Sequence, residues 1–141
     1  MELITAFFPG FRDNFVYKGQ QVFFYKRAQI LAGDLWGSGC AEFKDIASLT
    51  MFPDYRVPQI LHTWEVLTYS AELSRIVSEK GTLEPGSEME IEIRAASVVA
   101  CDKIASTLGV VPIHVDWLLW QRAESQLSEL KNHHRTLTIF Y

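Results

Sequence analysis

Two prolines close together, Pro53 and Pro58, limit what the middle of this chain can become. A proline has a fixed φ and no N–H, so it is poorly tolerated beyond the first turn of a helix or in a central strand. In Met51-Phe52-Pro53-Asp54-Tyr55-Arg56-Val57-Pro58-Gln59-Ile60-Leu61, Pro58 fits the first position of an apolar-striped helix, where no N–H is lost. A residue before proline is pushed out of the α region, so Val57 is expected to be extended or turning. Asp54 then falls in the turn ahead of the helix, near its positive end, which favours the ionised carboxylate. Such a residue has two readings. It can cap the helix, which local physics alone favours, or it can stabilise a cation in a cleft on a backbone pinned by two prolines.

Around this segment the pattern is helical. Phe24, Ala28, Leu31 and Leu35 share one face of a helix expected from about Gln21 to Trp36, closed by Gly37-Ser38-Gly39. Phe7 to Tyr17 is expected to be an irregular, aromatic-rich entry with a turn at Pro9-Gly10, and Phe43 to Leu49 a short helix. The helix at Pro58 is expected to run to about Leu67. Ser70 caps another, through Ala71 to Glu79, with Gly81 closing it. After the Pro85-Gly86 turn, Ser87 and Glu90 have capping-box spacing. Met89, Ile91 and Ile93 alternate with glutamates as in a strand, yet Ile91, Ala95, Val98 and Val99 form a helical stripe. Length and alanine content favour a helix running to Leu108 and Gly109. Pro112 starts a last helix to about Leu130, and the β-branched, aromatic tail Thr136 to Tyr141 is expected to be extended. The reading is one mostly α domain over residues 1–141 with a short extended C-terminal segment.

With 48% hydrophobic and 21% charged residues among 141, the chain can bury a core. A net charge of −4 argues against a nucleic-acid groove. No apolar run has membrane-spanning length, and the N-terminus lacks the pattern of a signal peptide. Cys40 and Cys101 have no CxxC partner, which points to reduced thiols and a cytoplasmic protein. The four histidines lack metal-ligand spacing, so no metal is expected. Phosphate-loop and GxSxG patterns are absent, and no cofactor is indicated.

Five segments in order resemble the queuosine salvage proteins, which hydrolyse queuosine 5′-phosphate to release queuine. They are PGFRD (Pro9 to Asp13), FFYKRAQILAGDLW (Phe23 to Trp36), FKDIASLTMFPDYRVPQIL (Phe43 to Leu61), EIEIRAAS (Glu90 to Ser97) and HHRTLTIFY (His133 to Tyr141). The resemblance covers nearly the whole chain and corresponds to the C-terminal half of the family's longer members. It implies a possible partner in a separate or missing N-terminal half. The family has been likened to helix-hairpin-helix DNA glycosylases, which use a lysine and an aspartate. The resemblance therefore implies a helical domain of that type, a small-molecule nucleotide substrate, and no direct nucleic-acid or membrane partner.

The resemblance also shifts the reading of Asp54 from cap towards catalysis, because a carboxylate stabilises the oxocarbenium-like sugar formed when an N-glycosidic bond breaks. Lys26, on the helix face away from the apolar stripe, is either half of a solvated pair with Arg27 or a group that holds phosphate or pairs with Asp54. Tyr25 and Asp45 are further substrate-binding candidates. Gln59 can read an amide-like base edge. Tyr55 and Arg56 either donate to the base or solvate the helix. Arg94, in a run of glutamates, can make an intrahelical ion pair of small value; a structural salt bridge is expected, with phosphate contact as the alternative. His133, His134 and Arg135 either complement a helix C-terminus or close over a phosphate or ribose. Two rivals stand beside the glycosidase reading: a non-catalytic nucleotide-binding module with an orphaned interface at Phe7, Phe8, Phe11 and Phe15, and a nucleic-acid glycosylase.

Overall fold

The computed structural model describes all of residues 1–141. Helix α1 (Glu2–Phe7) leads through a single 3-10 turn, Pro9–Phe11, into a hairpin of β1 (Asn14–Tyr17) and β2 (Gln20–Phe23). The strands are antiparallel, pairing Asn14 with Phe23 and Tyr17 with Gln20. Lys18 (φ 48°) and Gly19 (φ 81°) turn the chain between them, as the twist of a two-residue hairpin loop requires. Five helices follow: α2 (Lys26–Gly37), α3 (Arg56–Thr63), α4 (Ala71–Ser78), α5 (Glu88–Leu108) and α6 (Pro112–Ser125). The fold is mostly helical, and no single helix is long and apolar enough to cross a membrane.

The main core lies where α3, α5 and α6 meet. Met51, Val57, Ile60 and Leu61 pack against Cys101 and Ala105 of α5 and Val115, Leu119 and Ala123 of α6. Helices α5 and α6 diverge by 109° at a break where Gly109 takes the left-handed conformation (φ 67°) and Pro112 occupies the first turn of α6. Ala32, Leu49, Phe52 and Ile113 form a second cluster. Leu73, Val77, Leu83 and Ile93 form a third under α4.

The capped helices match the sequence reading. Ser70 accepts from the Leu73 amide and Ser87 from the Glu90 amide. The ambiguous glutamate-rich segment is helical throughout α5. Glu90, however, does not close a capping box. Its carboxylate accepts from Gly86 N and turns inward to Arg94 and Tyr141.

Elsewhere the structure corrects the expectations. Gln20–Phe23 is a strand, not the start of α2, and Tyr25 interrupts the chain with φ 49° before the helix begins at Lys26. The buried face of α2 is Ala28, Gln29, Ala32 and Gly33, while Leu31 and Leu35 are more than a third exposed. All of that face but Gln29 is small, and at Gly33 the chain passes close by: a Cβ there would stand 2.8 Å from the Phe52 ring. The entry expected to be irregular holds α1 and β1, and Phe43 to Leu49 contains one 3-10 turn, Ile46–Ser48. Helix α3 begins two residues before Pro58, with Val57 inside it, and ends at Thr63 ahead of Glu65 at φ 62°. Pro58 still lies in the first turn, where its lack of an N–H costs nothing. Helix α6 stops at Ser125, so His133 to Arg135 do not sit at a helix end. The tail forms no strand and bridges only once, between Arg135 and Thr82.

Gly86 (φ 75°) abuts the Phe15 ring, into which a Cβ would run. Gly86→Ala is therefore expected to lower unfolding stability by about 1–3 kcal/mol, read as a fall in the urea midpoint at constant slope.

Candidate active site

The segment Met51 to Asp54 is buried although it belongs to no helix or strand, so its backbone groups need partners from side chains. Three helices supply them. Gln29 of α2 accepts from Thr50 N (2.8 Å) and donates to the Thr50 hydroxyl (2.9 Å). Asp116 of α6 accepts from Phe52 N (2.9 Å). Arg94 of α5 donates to the Pro53 carbonyl (2.9 Å). The strap so held delivers Asp54 to the start of α3.

One carboxylate oxygen of Asp54 accepts from the amides of Arg56 (2.8 Å) and Val57 (3.1 Å). Asp54 thus does cap the helix, and this explains why α3 begins before Pro58. Its other oxygen takes no hydrogen bond from the protein. Burial raises the carboxyl above the usual range; the Lys26 charge, the two amides and Arg56 oppose that shift. Lys26 is half-buried at the first position of α2. It lines a cavity of about 450 Å³ with Phe11, Ile30, Ile139 and Tyr141.

Asp116 was not anticipated. It is buried, and burial pushes its carboxyl up to about 7; the Phe52 amide lowers it, the Asp54 charge raises it and Lys26 lowers it. Asp54, Asp116 and Lys26 are therefore within electrostatic reach of one another. The sequence carried a signal: Asp116 stands in register with Ile113, Leu119 and Ala123, a carboxylate inside the apolar stripe of α6. Asp13 was also missed as an individual residue, although PGFRD contains it. Cys101 lies nearby, but burial and the neighbouring aspartates push its thiol up to about 12, which removes it as a nucleophile.

Other candidates are placed differently. Arg56 is held by Glu124 (2.6 Å) and Gln59 (2.6 Å), and the Gln59 amide donates to the Lys131 carbonyl (2.7 Å). Arg56 thus ties α3 to α6, and Gln59 ties it to the C-terminal segment. Asp45 is exposed and lines a separate cavity with Met1, Leu3 and Phe43. Tyr25 packs on Phe23, with ring centroids 5.4 Å apart. Arg94 is fully buried in a structural salt bridge, pairing with Glu90 on its own helix and also with Asp13; its burial corrects the alternative of a phosphate contact.

Tyr55 lies against His133 (4.7 Å) and lines a cavity of about 180 Å³ with His134, Arg135, Thr136 and Tyr141. Tyr141 borders both this cavity and that of Lys26. Burial, with the His133 and Arg94 charges, lowers His134 to about 3, so its ring is neutral. Its Nε2 faces the Tyr141 hydroxyl (3.3 Å), which donates to Glu90 (2.8 Å), while Nδ1 has no partner. No group of His, Cys, Asp and Glu is arranged to hold a metal ion.

A family model described as queuosine salvage protein matches residues 1–141. The chain belongs to the queuosine salvage protein family. A relative from Dictyostelium discoideum, named queuosine 5′-phosphate N-glycosylase/hydrolase, is 50% identical over 150 residues, covering 100% of this chain and 47% of its own length. Relatives of the same name from Sphaerobacter thermophilus and Mus musculus are 39% and 37% identical, again over 100% of this chain and 46% and 47% of theirs. The chain thus spans about half the length of the curated relatives it matches.

Because Asp116 is protonated more readily in the folded chain than when unfolded, the folded state holds an extra proton between about pH 4 and 7. Stability from this residue therefore falls as pH rises through that window. Asp116→Asn, which keeps an acceptor for Phe52 N, is expected to flatten the fall by about 1–3 kcal/mol, measured by urea unfolding between pH 4 and 8.

Proposed function

We propose that this chain carries the catalytic residues of a queuosine 5′-phosphate N-glycosidase, hydrolysing the ribosyl–base bond to give queuine and ribose 5-phosphate. The observation that carries the reading is the carboxylate oxygen of Asp54 left free of protein hydrogen bonds, on a largely buried residue that feels the charge of Lys26 and acts on Asp116. As the bond to the base lengthens, positive charge grows at C1′ and the ring oxygen, and a fixed carboxylate stabilises it. Asp54 supplies that carboxylate, either as a charge that also orients or deprotonates the water attacking C1′, or by attacking C1′ itself to form a glycosyl ester that water then hydrolyses. Lys26 opposes the protonation that burial favours. Queuine, a 7-deazaguanine, has no N7 to accept a proton, so its departure needs hydrogen-bond donors around the pyrimidine ring. Asp116 holds a proton up to about pH 7 and can release it. Tyr55 and the neutral His134 line the adjoining cavity and are placed to bind substrate.

The order of Lys26 and Asp54 supports a fold of the helix-hairpin-helix glycosylase type. The net charge of −4 favours a nucleotide over nucleic acid as substrate. The free cysteines support a cytosolic setting. A second reading, a nucleotide-binding module completed by a further half, is favoured by Phe7 and Phe8, which are 73% and 58% exposed.

Incubation of the purified chain with queuosine 5′-phosphate is expected to release free queuine. Asp54→Ala should lower the rate by about 10³-fold and Lys26→Met by about 10–100-fold. A folded chain that releases none does not act alone, and one whose Asp54→Ala variant keeps full activity uses another residue.

A further inference from the structure

Lys26 opens α2 and Asp54 lies in the strap ahead of α3, yet both backbones are tied to one side chain. Arg94 donates through Nε to the Pro53 carbonyl (2.9 Å), one peptide bond from Asp54. Its Nη1 and Nη2 grip the two carboxylate oxygens of Asp13 (2.9 and 2.5 Å). Asp13 in turn sets the start of α2: its Oδ2 accepts from Lys26 N (3.1 Å), and its carbonyl accepts from Phe24 N (2.9 Å) and Tyr25 N (3.1 Å). Those bonds hold Tyr25 in the left-handed turn that aims Lys26. We propose that Arg94 is a positioning residue that fixes the distance between the Lys26 ammonium and the Asp54 carboxylate, through Asp13 on one arm and the Pro53 carbonyl on the other. The proposal rests on the reading of Lys26 and Asp54 as a working pair.

Arg94 itself touches no substrate, being wholly enclosed between the rings of Phe24 (4.0 Å) and Tyr141 (4.8 Å). Only a planar fork serves acceptors on two sides at once. A lysine at this position keeps the charge but satisfies one arm or the other. If either arm lets go, Lys26 and Asp54 drift apart and burial acts on Asp54 with less opposition. The charged and titratable groups around Asp54 are Lys26 from α2, Arg56 from α3, Cys101 from α5 and Asp116 from α6.

The test reads Asp54 directly and needs no turnover, so it stands apart from the glycosidase assay. Carboxyl resonances of ¹³C-labelled aspartate are titrated in the full chain, with Asp54 assigned from Asp54→Asn. Arg94→Lys and the near-isosteric Asp13→Asn are compared with Val77→Ala, a destabilised control in the third core cluster. The Asp54 midpoint is expected to rise by about half a pH unit or more in both Arg94→Lys and Asp13→Asn and to stay at the wild-type value in Val77→Ala. An unmoved midpoint in either folded site variant, or an equal rise in the control, overturns the proposal. Loss of the fold in both site variants does so too, since Arg94 and Asp13 would then serve the fold and not the site.

Discussion

One buried guanidinium, that of Arg94, organises the half of the molecule that bears the candidate site. Taking an arginine and its carboxylate partners out of water is costly, and their attraction repays that only when geometry and hydrogen bonding are complete. Here they are. Arg94 faces Asp13, Glu90 and a main-chain carbonyl, with an aromatic ring on either side. Removing one partner of such a cluster strands the others, at a cost of about 3–5 kcal/mol. A hydrocarbon replacement would pack, but it would leave the Pro53 carbonyl unpaired. The cluster therefore specifies one arrangement of strap, hairpin and α5 more than it adds to their stability.

The strap shows the same logic in its backbone. A buried segment without regular structure is tolerable only if each N–H and C=O is paired, and Gln29, Asp116 and Arg94 reach it from three helices. Each of these is a polar residue on an otherwise buried face. Such a strap cannot slide without breaking bonds on several sides, so the Asp54 carboxylate starts from a fixed point. Preorganised charge of this kind needs no rearrangement when a cation develops beside it.

What the sequence made legible follows from range. Ser70 and Ser87 announce their helices because capping is local, and Asp54 announced itself as a cap for the same reason. Gln20–Phe23 reads as the start of a helix because it has no alternation strong enough to oppose the helical stripe that follows it. Its identity depends on pairing with β1 and on the turn at Tyr25, which Asp13 holds. Asp13 with Arg94 is a contact across 81 positions and Asp116 with Phe52 one across 64. Neither leaves a periodic trace. Only the intrusion of Asp116 and Arg94 into apolar stripes hinted at partners elsewhere. His133, His134 and Arg135 read as a helix end because basic residues suit one, whereas in the fold they line the cavity beside Tyr55.

Two carboxylates and one ammonium in a buried setting do not share protons evenly. Asp54 receives two amide hydrogen bonds and, after burial, its largest influence is the Lys26 charge; Asp116 receives one amide bond, and that bond and the Asp54 charge each outweigh the influence of Lys26. The carboxylate with more donors ionises first, and its charge then disfavours ionisation of the second, which is the direction in which Asp54 acts on Asp116. This asymmetry favours the negative charge on Asp54 over one on Asp116. Here it arises from unequal hydrogen bonding of two identical side chains.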